Sequence, residues 1–171
     1  MGRTHDAAFD ELVTSQLPSL LRAAYLLTGE WGLAEDLVQD TLTKAYLAWT
    51  RVAEADAPAA YLRRILVNTH RRSYRRRRVR ESLTADVPDG GTDRGTTDLR
   101  RDLVRAVAAL PPRQRSVVVL RYLEDRPEAE VAEILGCSVG TVKSQASRAL
   151  DKLRRHPALA EPGALTEEVR P

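Results

Sequence analysis

Apolar residues recur at spacings of three and four along most of the chain, which is the period of amphipathic α-helices. A first helix is predicted over Asp6 to Thr28 and a second over Leu33 to Trp49, with a turn at Gly29 and Gly32 between them. Two antiparallel helices are the simplest arrangement of these apolar stripes. The chain is therefore expected to begin with a helical hairpin.

The helical pattern breaks over residues 50–58, which are predicted as a loop, and a third helix is expected from about Ala59. This helix starts with an apolar stripe and then becomes basic, since residues 63–80 hold nine arginines and no acidic residue. Tyr61 and Tyr74 lie beside the arginines. Because the basic run continues an apolar-patterned helix, we favour a nucleic-acid surface over a generic basic tail.

A change of composition divides the chain. Residues 84–97 are rich in Thr, Asp, Gly and Pro and contain almost no apolar residue, which is typical of a flexible linker. We therefore expect a domain at 1–83 and a second domain at 98–157, followed by a tail at 158–171. The linker predicts that the two domains move independently.

The second domain has its own helical pattern. One helix is predicted from Asp98 until Pro111 and Pro112 stop it, and another over Gln114 to Leu123. Two short helices between Pro127 and Arg155 complete the domain. The predicted fold class is all-α, with two small helical domains.

The segment from Pro127 to Arg155 is predicted as a helix-turn-helix. Gly136 suits the left-handed residue that ends the first helix, and Ser138 suits the N-cap of the second. Opposite its apolar stripe, the second helix carries Lys143, Ser144, Ser147 and Arg148. Two cations among small hydroxyl groups can enter a major groove and reach phosphates and base edges. A plain helical hairpin with a solvated basic face is the alternative for this segment.

Charge and composition limit the classes of function. The net charge is only +3, but the charges are segregated: residues 1–62 carry nine acids and four bases, whereas residues 63–80 are strongly basic. This segregation suggests a polyanion partner for the basic part of the chain. The single Cys137 excludes an internal disulfide and a cysteine zinc site. There is no long apolar run or signal peptide, so we expect a soluble, cytoplasmic protein. We also expect that the protein needs no cofactor.

An acidic strip lies on the second predicted helix, where Asp36 and Asp40 are four residues apart with Lys44 one turn further on. Like charges at this spacing cost helix stability unless a cationic partner meets them. A solvated face is the ordinary interpretation of such a strip. No His, Cys or glycine-rich phosphate loop accompanies the pair, so an active site is not indicated.

Four short motifs occur in order around the linker. They are Ala34-Glu35-Asp36-Leu37-Val38-Gln39-Asp40, Tyr61-Leu62-Arg63-Arg64-Ile65-Leu66-Val67-Asn68, Leu110-Pro111-Pro112-Arg113-Gln114-Arg115 and Val139-Gly140-Thr141-Val142-Lys143-Ser144. In this order the sequence resembles bacterial extracytoplasmic-function sigma factors, and among them the small actinobacterial group. The resemblance covers residues 6–157 and is far more specific than a lone helix-turn-helix.

The resemblance implies a promoter-specificity subunit without catalytic activity. In that family the N-terminal domain, region two, docks on the clamp helices of the RNA polymerase β′ subunit and opens the minus-ten element. The C-terminal domain, region four, binds the β flap and reads the minus-thirty-five element. Core RNA polymerase and promoter DNA are therefore the expected partners, and an anti-sigma factor is a further candidate.

The resemblance also implies roles for individual residues. Polymerase docking is implied for Asp36, Gln39 and Asp40. Contacts to the minus-ten element are implied for Tyr61, Arg64, Asn68, Arg71 and Arg72. Reading of the minus-thirty-five element is implied for Lys143, Ser144, Ser147 and Arg148, with phosphate contacts for Thr141 and Arg121.

Two other functions are weighed against this one. A stand-alone helix-turn-helix regulator would share the second domain, but it would normally need a ligand-sensing or dimerising domain, which the acidic and arginine-rich helices do not resemble. An enzyme acting on nucleic acid would need a metal or acid–base cluster, which the sequence lacks. We therefore expect a sigma factor.

Overall fold

The structure is a computed structural model that describes residues 2–83 and 98–159, so the predicted linker at 84–97 lies outside the described residues. Every regular element within those ranges is helical, which confirms the all-α prediction. The helices of the first half are α1 (Gly2–Thr28), α2 (Trp31–Leu47), α3 (Trp49–Ala53) and α4 (Pro58–Leu83). Those of the second half are α5 (Asp98–Ala108), α6 (Pro112–Val118), α7 (Glu128–Leu135) and α8 (Val139–Arg154), with a π-helical turn at Val119–Leu123 and a 3-10 turn at Pro157–Leu159.

The first half is a bundle in which α1, α2 and α4 pack against one another. Its core contains fully buried Leu20, Leu27, Val38, Leu62 and Leu66. Burying a side chain of this size stabilises a fold by about 1.5–3 kcal/mol. The apolar stripes of the sequence are therefore the surfaces that hold this bundle together.

The turn between α1 and α2 is shorter than predicted. Gly29 adopts the left-handed φ of 78° that reverses the chain, and α2 begins two residues later at Trp31. Gly32 was predicted as a turn residue, but it lies inside α2. The indole ring of Trp31 stacks on the ring of Tyr25, with centroids 4.3 Å apart, and so ties the two helices across the turn.

The predicted loop at 50–58 is wrong in its first part, because Trp49–Ala53 form the short helix α3. Val52 is completely buried and Trp49 nearly so. The ring of Phe9 in α1 packs edge-on against Trp49, with centroids 5.2 Å apart. Packing against α1 and α4 thus stabilises a helical turn that the local sequence, with its many polar residues, does not predict.

The second half packs α6 and α7 against α8, with Val117, Leu120, Val131 and Val142 in its core. The predicted helix at Gln114 to Leu123 is present as α6 and the following π-helical turn. At its end the Glu124 backbone N–H donates to the Val119 carbonyl oxygen at 2.9 Å, the five-residue step of a π-helix.

The two halves also pack against each other, which the sequence did not predict. α1 contacts α5 and the π-helical turn, and α4 contacts α6 and α7. Buried residues of both halves form one continuous apolar cluster. The two domains therefore share an interface in this structure.

Candidate nucleic-acid and protein interfaces

The helix-turn-helix forms through the local signals found in the sequence. Gly136 ends α7 with φ 63° and ψ 45°, a left-handed conformation that glycine adopts without steric cost. Ser138 is the N-cap of α8, and its Oγ accepts a hydrogen bond from the Thr141 backbone N–H at 3.1 Å. Pro127 precedes α7 as its N-cap rather than standing at its first helical position. These residues define the turn between α7 and α8.

The polar face of α8 is open to solvent. Lys143, Ser144, Ser147 and Arg148 are all exposed, whereas Val142, Ala146 and Ala149 are buried against the domain. Lys143 Nζ lies 3.6 Å from Glu128 Oε2 at the start of α7. The predicted base-reading residues thus occupy one accessible helix face of the size that fits a major groove.

The two predicted phosphate contacts lie at different places on the second domain. Thr141 is half-buried in the first turn of α8, and its hydroxyl group hydrogen-bonds with Ser138 Oγ at 2.9 Å. Arg121 lies on the π-helical turn, with its guanidinium 4.0 Å from Asp125 and over the ring of Tyr122. Thr141 therefore adjoins the polar face of α8, and Arg121 belongs to a separate element.

The α4 helix presents a basic strip. Arg64, Asn68 and Arg72 follow one another at four-residue spacing and are exposed, with half-buried Tyr61 one turn earlier on the same side. Half-buried Arg71 lines a cavity of about 260 Å³ together with Arg113, Thr141 and Gln145 of the second domain. All five predicted minus-ten residues thus lie on one side of α4, and Arg71, at the edge of that side, also lines a cavity with residues of the second domain.

Arg63 departs from the basic surface predicted for residues 63–80. Its residue surface is only 3% exposed. Its guanidinium donates to Gln16 Oε1, Ser19 Oγ and Glu124 Oε2, each at 2.8 Å. Arg63 is therefore a structural residue that joins α4 to α1 and to the second domain.

The acidic strip of α2 is exposed at Asp36, Gln39 and Asp40. Lys44, one turn further on, donates to Thr69 Oγ1 of α4 at 3.0 Å. Asp36 and Asp40 line a cavity of about 420 Å³ that also contains Arg77 and Arg115. Two arginines of the chain thus line the same cavity as these carboxylates.

Two residues that line this cavity, His70 and Arg115, are buried. Burial, followed by the charges of Arg115 and Arg77, lowers the pKa of His70 to about 4, so its imidazole is neutral at neutral pH. Burial also lowers the pKa of Arg115, and the nearby Tyr74 hydroxyl acts in the opposite direction. The guanidinium of Arg115 lies 5.3 Å from the centroid of the Tyr74 ring.

In the part of the chain that the structure describes, no cluster of His, Cys, Asp and Glu has the arrangement of a metal site. Over the same ranges, no helix has the length and apolar character needed to cross a membrane.

The sequence analysis did not identify the structural roles of Arg63 and Arg115. The burial of Arg63 could have been inferred from its helical spacing relative to the apolar residues Leu66 and Val67.

Comparison with known protein families matches both domains. Residues 12–80 match the family model described as Sigma-70 region 2, and residues 100–153 match that described as Sigma-70, region 4. The two matches correspond to the helical bundle of the first half and to the helix-turn-helix domain.

Individual relatives agree with these matches. The chain is 40% identical over 148 residues to the RNA polymerase sigma-E factor of Streptomyces avermitilis, covering 85% of this chain and 83% of that protein. It is 35% identical over 153 residues to the ECF RNA polymerase sigma factor EcfG of Rhodopseudomonas palustris, covering 86% and 83%.

Solved structures are similar as well. The sigma factor RpoE of Bartonella quintana, in complex with the anti-sigma factor NepR, has a TM-score of 0.75 and 29% identity and covers 91% of this chain and 98% of that one. CnrH in complex with the cytosolic domain of CnrY has a TM-score of 0.61 and 27% identity, covering 88% and 87%.

Proposed function

Because the chain belongs to the family of extracytoplasmic-function RNA polymerase sigma factors, we propose that three separate faces of the protein bind its partners, one of them core polymerase and two of them promoter DNA. As a sigma factor the protein binds core RNA polymerase, recognises promoter DNA and directs the initiation of transcription, and it is not an enzyme. A stand-alone helix-turn-helix regulator is not favoured, since both sigma domains are present.

The first face is the acidic strip of α2, which we assign to the β′ clamp helices of core polymerase. Asp36, Gln39 and Asp40 are exposed and lie within two turns of one helix. Two carboxylates at this spacing match a basic partner surface, and such complementarity increases both association rate and specificity. Exposure of all three residues supports this assignment.

The second face is the basic strip of α4, which we assign to the minus-ten element. Arg64 and Arg72 can neutralise phosphates on either side of Asn68, whose amide can hydrogen-bond to a base. Tyr61 offers an aromatic ring on which an unpaired base can stack. Arg71 is assigned to the same strand.

The third face is the polar side of α8, which we assign to the minus-thirty-five element, while other surfaces of the second domain bind the β flap. Lys143, Ser144, Ser147 and Arg148 are the residues that reach base edges when α8 enters a major groove. Thr141 and Arg121 contact phosphates beside that groove. Their roles are the same for all sequences, because phosphates carry no base identity.

A protein that works on core polymerase and chromosomal promoters acts in the cytoplasm, and we propose that location here. We also propose an anti-sigma factor as a regulatory partner. The support is the similarity of 91% of the chain to the sigma factor RpoE in its complex with the anti-sigma factor NepR, and of 88% to CnrH in its complex with the cytosolic domain of CnrY.

The observation that carries the assignment is the pairing, in one chain, of an exposed acidic strip and basic strip with an exposed helix-turn-helix face. Run-off transcription with core polymerase tests it. The full chain should give a transcript from a template with both promoter elements, and scrambling either element should abolish it. A chain that binds promoter duplex alone and changes transcription by a different holoenzyme would instead be a stand-alone regulator.

A further inference from the structure

We propose that Glu128 is a positioning residue for promoter recognition: its carboxylate restrains Lys143 on the polar face of α8, so that Lys143 reads a base instead of neutralising the phosphates of any sequence. The proposal rests on the proposed function, in which this face reads the minus-thirty-five element. It adds a residue of α7 to that function and assigns a base contact to Lys143.

The two residues form an ion pair between the two helices of the helix-turn-helix. Lys143 Nζ lies 3.6 Å from Glu128 Oε2, and the two side chains are 64% and 37% exposed. Glu128 is in the first turn of α7, and Lys143 is in the second turn of α8. The ammonium group therefore stays accessible to DNA, while its position is biased toward the start of α7.

The backbone beneath this ion pair is held in place. The Cys137 backbone N–H donates to the Ala132 carbonyl oxygen at 3.0 Å across the end of α7, and Ser138 caps α8. Val142, next to Lys143, is completely buried. The lysine side chain thus leaves the helix at a fixed point, and the freedom that remains is that of its own rotamers. A carboxylate within reach restricts that freedom.

The other acidic residue in the first turn of α7 has a different partner. Glu130 Oε1 accepts a hydrogen bond from Arg126 Nη1, in the segment that precedes the helix. Both carboxylates lie where a helix N-terminus favours negative charge. Glu130 supplies that stabilisation without contacting α8. A role in helix stability alone therefore does not account for the contact of Glu128 with Lys143.

The two cations on the polar face of α8 differ in their restraint. Arg148 is exposed, and in residues 2–83 and 98–159 no carboxylate lies within ion-pair distance of it, whereas Lys143 has Glu128. An arginine carries its own directional selectivity in its planar fork, but a lysine ammonium is a flexible point charge. Lys143 gains positional selectivity only from a neighbour that restrains it.

Phosphates are the main competitors for an unrestrained lysine. B-DNA carries one negative charge per about 1.7 Å of its axis, and a phosphate contact strengthens binding to every sequence alike. The first helix of a helix-turn-helix crosses the DNA backbone, so the carboxylate of Glu128 repels phosphates near Lys143. A base acceptor in the major groove is then the better partner for the ammonium group. Glu128 thus raises the preference for the cognate element by disfavouring the alternative.

Glu128→Gln tests this role, since it removes the charge and keeps the size of the side chain. Holoenzyme is reconstituted from core polymerase and the full chain, and its affinity is measured for the cognate promoter and for one with a scrambled minus-thirty-five element. The ratio of the two affinities should fall by up to about fivefold, the factor equivalent to the upper value for an exposed ion pair. A uniform change in repulsion from DNA cancels in this ratio.

Lys143→Gln shows whether Glu128 acts through the lysine. Over single-base promoter variants, Glu128→Gln and Lys143→Gln should relax the preference at the same base pair, and Arg148→Ala at a different one. In a chain that already carries Lys143→Gln, the added Glu128→Gln should leave the affinity ratio unchanged. An equal fall in that background would overturn the positioning role. Unaltered base preference in Lys143→Gln would overturn the base contact.

Glu133→Gln is the matched control for charge, because Glu133 is an exposed residue of the same helix and has no ion pair with Lys143. It should leave the affinity ratio unchanged, and a fall equal to that of Glu128→Gln would overturn the proposal. The unmodified holoenzyme separates the two levels of inference. If it does not prefer the cognate over the scrambled element, the assignment of the α8 face fails as well. If it does, and Glu128→Gln keeps the same ratio, only the role of Glu128 is overturned.

Discussion

Arg63 and Glu124 are 61 residues apart in the sequence, and their side chains meet at 2.8 Å across the interface of the two domains. The same guanidinium holds Gln16 and Ser19 of α1. One arginine from a basic run thus supports the interior of the first domain and its contact with the second. The stability of the chain should depend on it more than on any solvated arginine beside it.

Replacement of Arg63 by leucine should lower the free energy of unfolding by about 3–5 kcal/mol, the range for removing one partner of a buried ion pair. Gln16 and Ser19 would lose this donor, and Glu124 would keep only Arg126, whose Nε donates to it at 3.0 Å. Arg64→Leu is the matched control, since Arg64 is the next residue and is exposed. Its effect should stay within about 0.5 kcal/mol. Urea titration followed by tryptophan fluorescence compares the two variants. Equal losses of unfolding free energy would show that Arg63 stabilises the fold no more than an exposed arginine does.

A second prediction concerns pH. The pKa of His70 is about 4 in the folded protein, below its ordinary value of 6.5, because of burial and then of Arg115 and Arg77. The unfolded chain therefore takes up the proton first as pH falls. Stability should be constant above about pH 6.5, decrease between pH 6.5 and 4 by about 3 kcal/mol, and level off below pH 4 with respect to this group.

The histidine contribution separates from that of the carboxylates through a variant. His70→Gln cannot take up the proton, so its urea midpoint should decline less between pH 7 and 4.5 than that of the unmodified chain. The difference between the two curves measures the term that belongs to His70. Parallel curves would mean that the imidazole is as accessible to protons in the folded state as in the unfolded one.

The local elements of the fold were predictable from the sequence because local chemistry fixes them. Gly136 must be left-handed to end α7, and Ser138 has the oxygen that caps α8, so the helix-turn-helix followed from two residues. α3 was missed because its helical turn depends on Val52 packing against distant helices. Propensity alone does not reveal a turn that tertiary packing imposes.

The candidate surfaces were predictable to a similar extent. Helical spacing brought Arg64, Asn68 and Arg72 onto one exposed strip, as the structure has them. Counting arginines did not separate Arg63 from this strip, although it lies about 100° around the helix from Arg64. Arg115 gave no signal from which its role followed, since its acceptors are carbonyl oxygens of other helices.

Charge reversal on the acidic strip should weaken polymerase binding. In the double variant Asp36→Lys and Asp40→Lys, each desolvated ion pair lost at the interface could cost about 2–5 kcal/mol, and less at a solvated rim. Glu35→Lys is a control for charge alone, since Glu35 is exposed but turned about 100° away from Asp36. Affinity for fluorescently labelled core enzyme is the measurement. DNA binding through the second domain of the full-length double variant should not change.

An unchanged affinity of the double variant for core polymerase would remove α2 from the docking surface. Each reversal changes the net charge by two, so an effect of net charge alone predicts a loss of binding free energy in the double variant about twice that of Glu35→Lys. Only a loss clearly greater than twice that value supports a specific contact with a basic partner.

The last prediction concerns Arg148 on the polar face of α8. Arg148 and Lys143 are exposed there with Ser144 and Ser147 between them, so both can reach one groove. The planar fork of an arginine matches the two acceptors of a guanine in the major groove, whereas the lysine can contact either a base or a phosphate. Arg148→Ala should therefore cost about 1–3 kcal/mol on the cognate minus-thirty-five element and relax preference at one base pair.

Arg121 provides the contrast, because a phosphate contact is independent of sequence. Arg121→Ala should weaken binding to all promoter variants alike and reduce the salt dependence by about one counterion. Thr141→Ala should also act on all sequences alike, but with no change in salt dependence, since threonine is uncharged. Binding or run-off assays over single-base promoter variants at fixed salt test the sequence dependence, and a salt titration on the cognate promoter tests the counterion difference. If Arg148→Ala keeps the unmodified base preference at every position, the base-reading role belongs to another residue of α8.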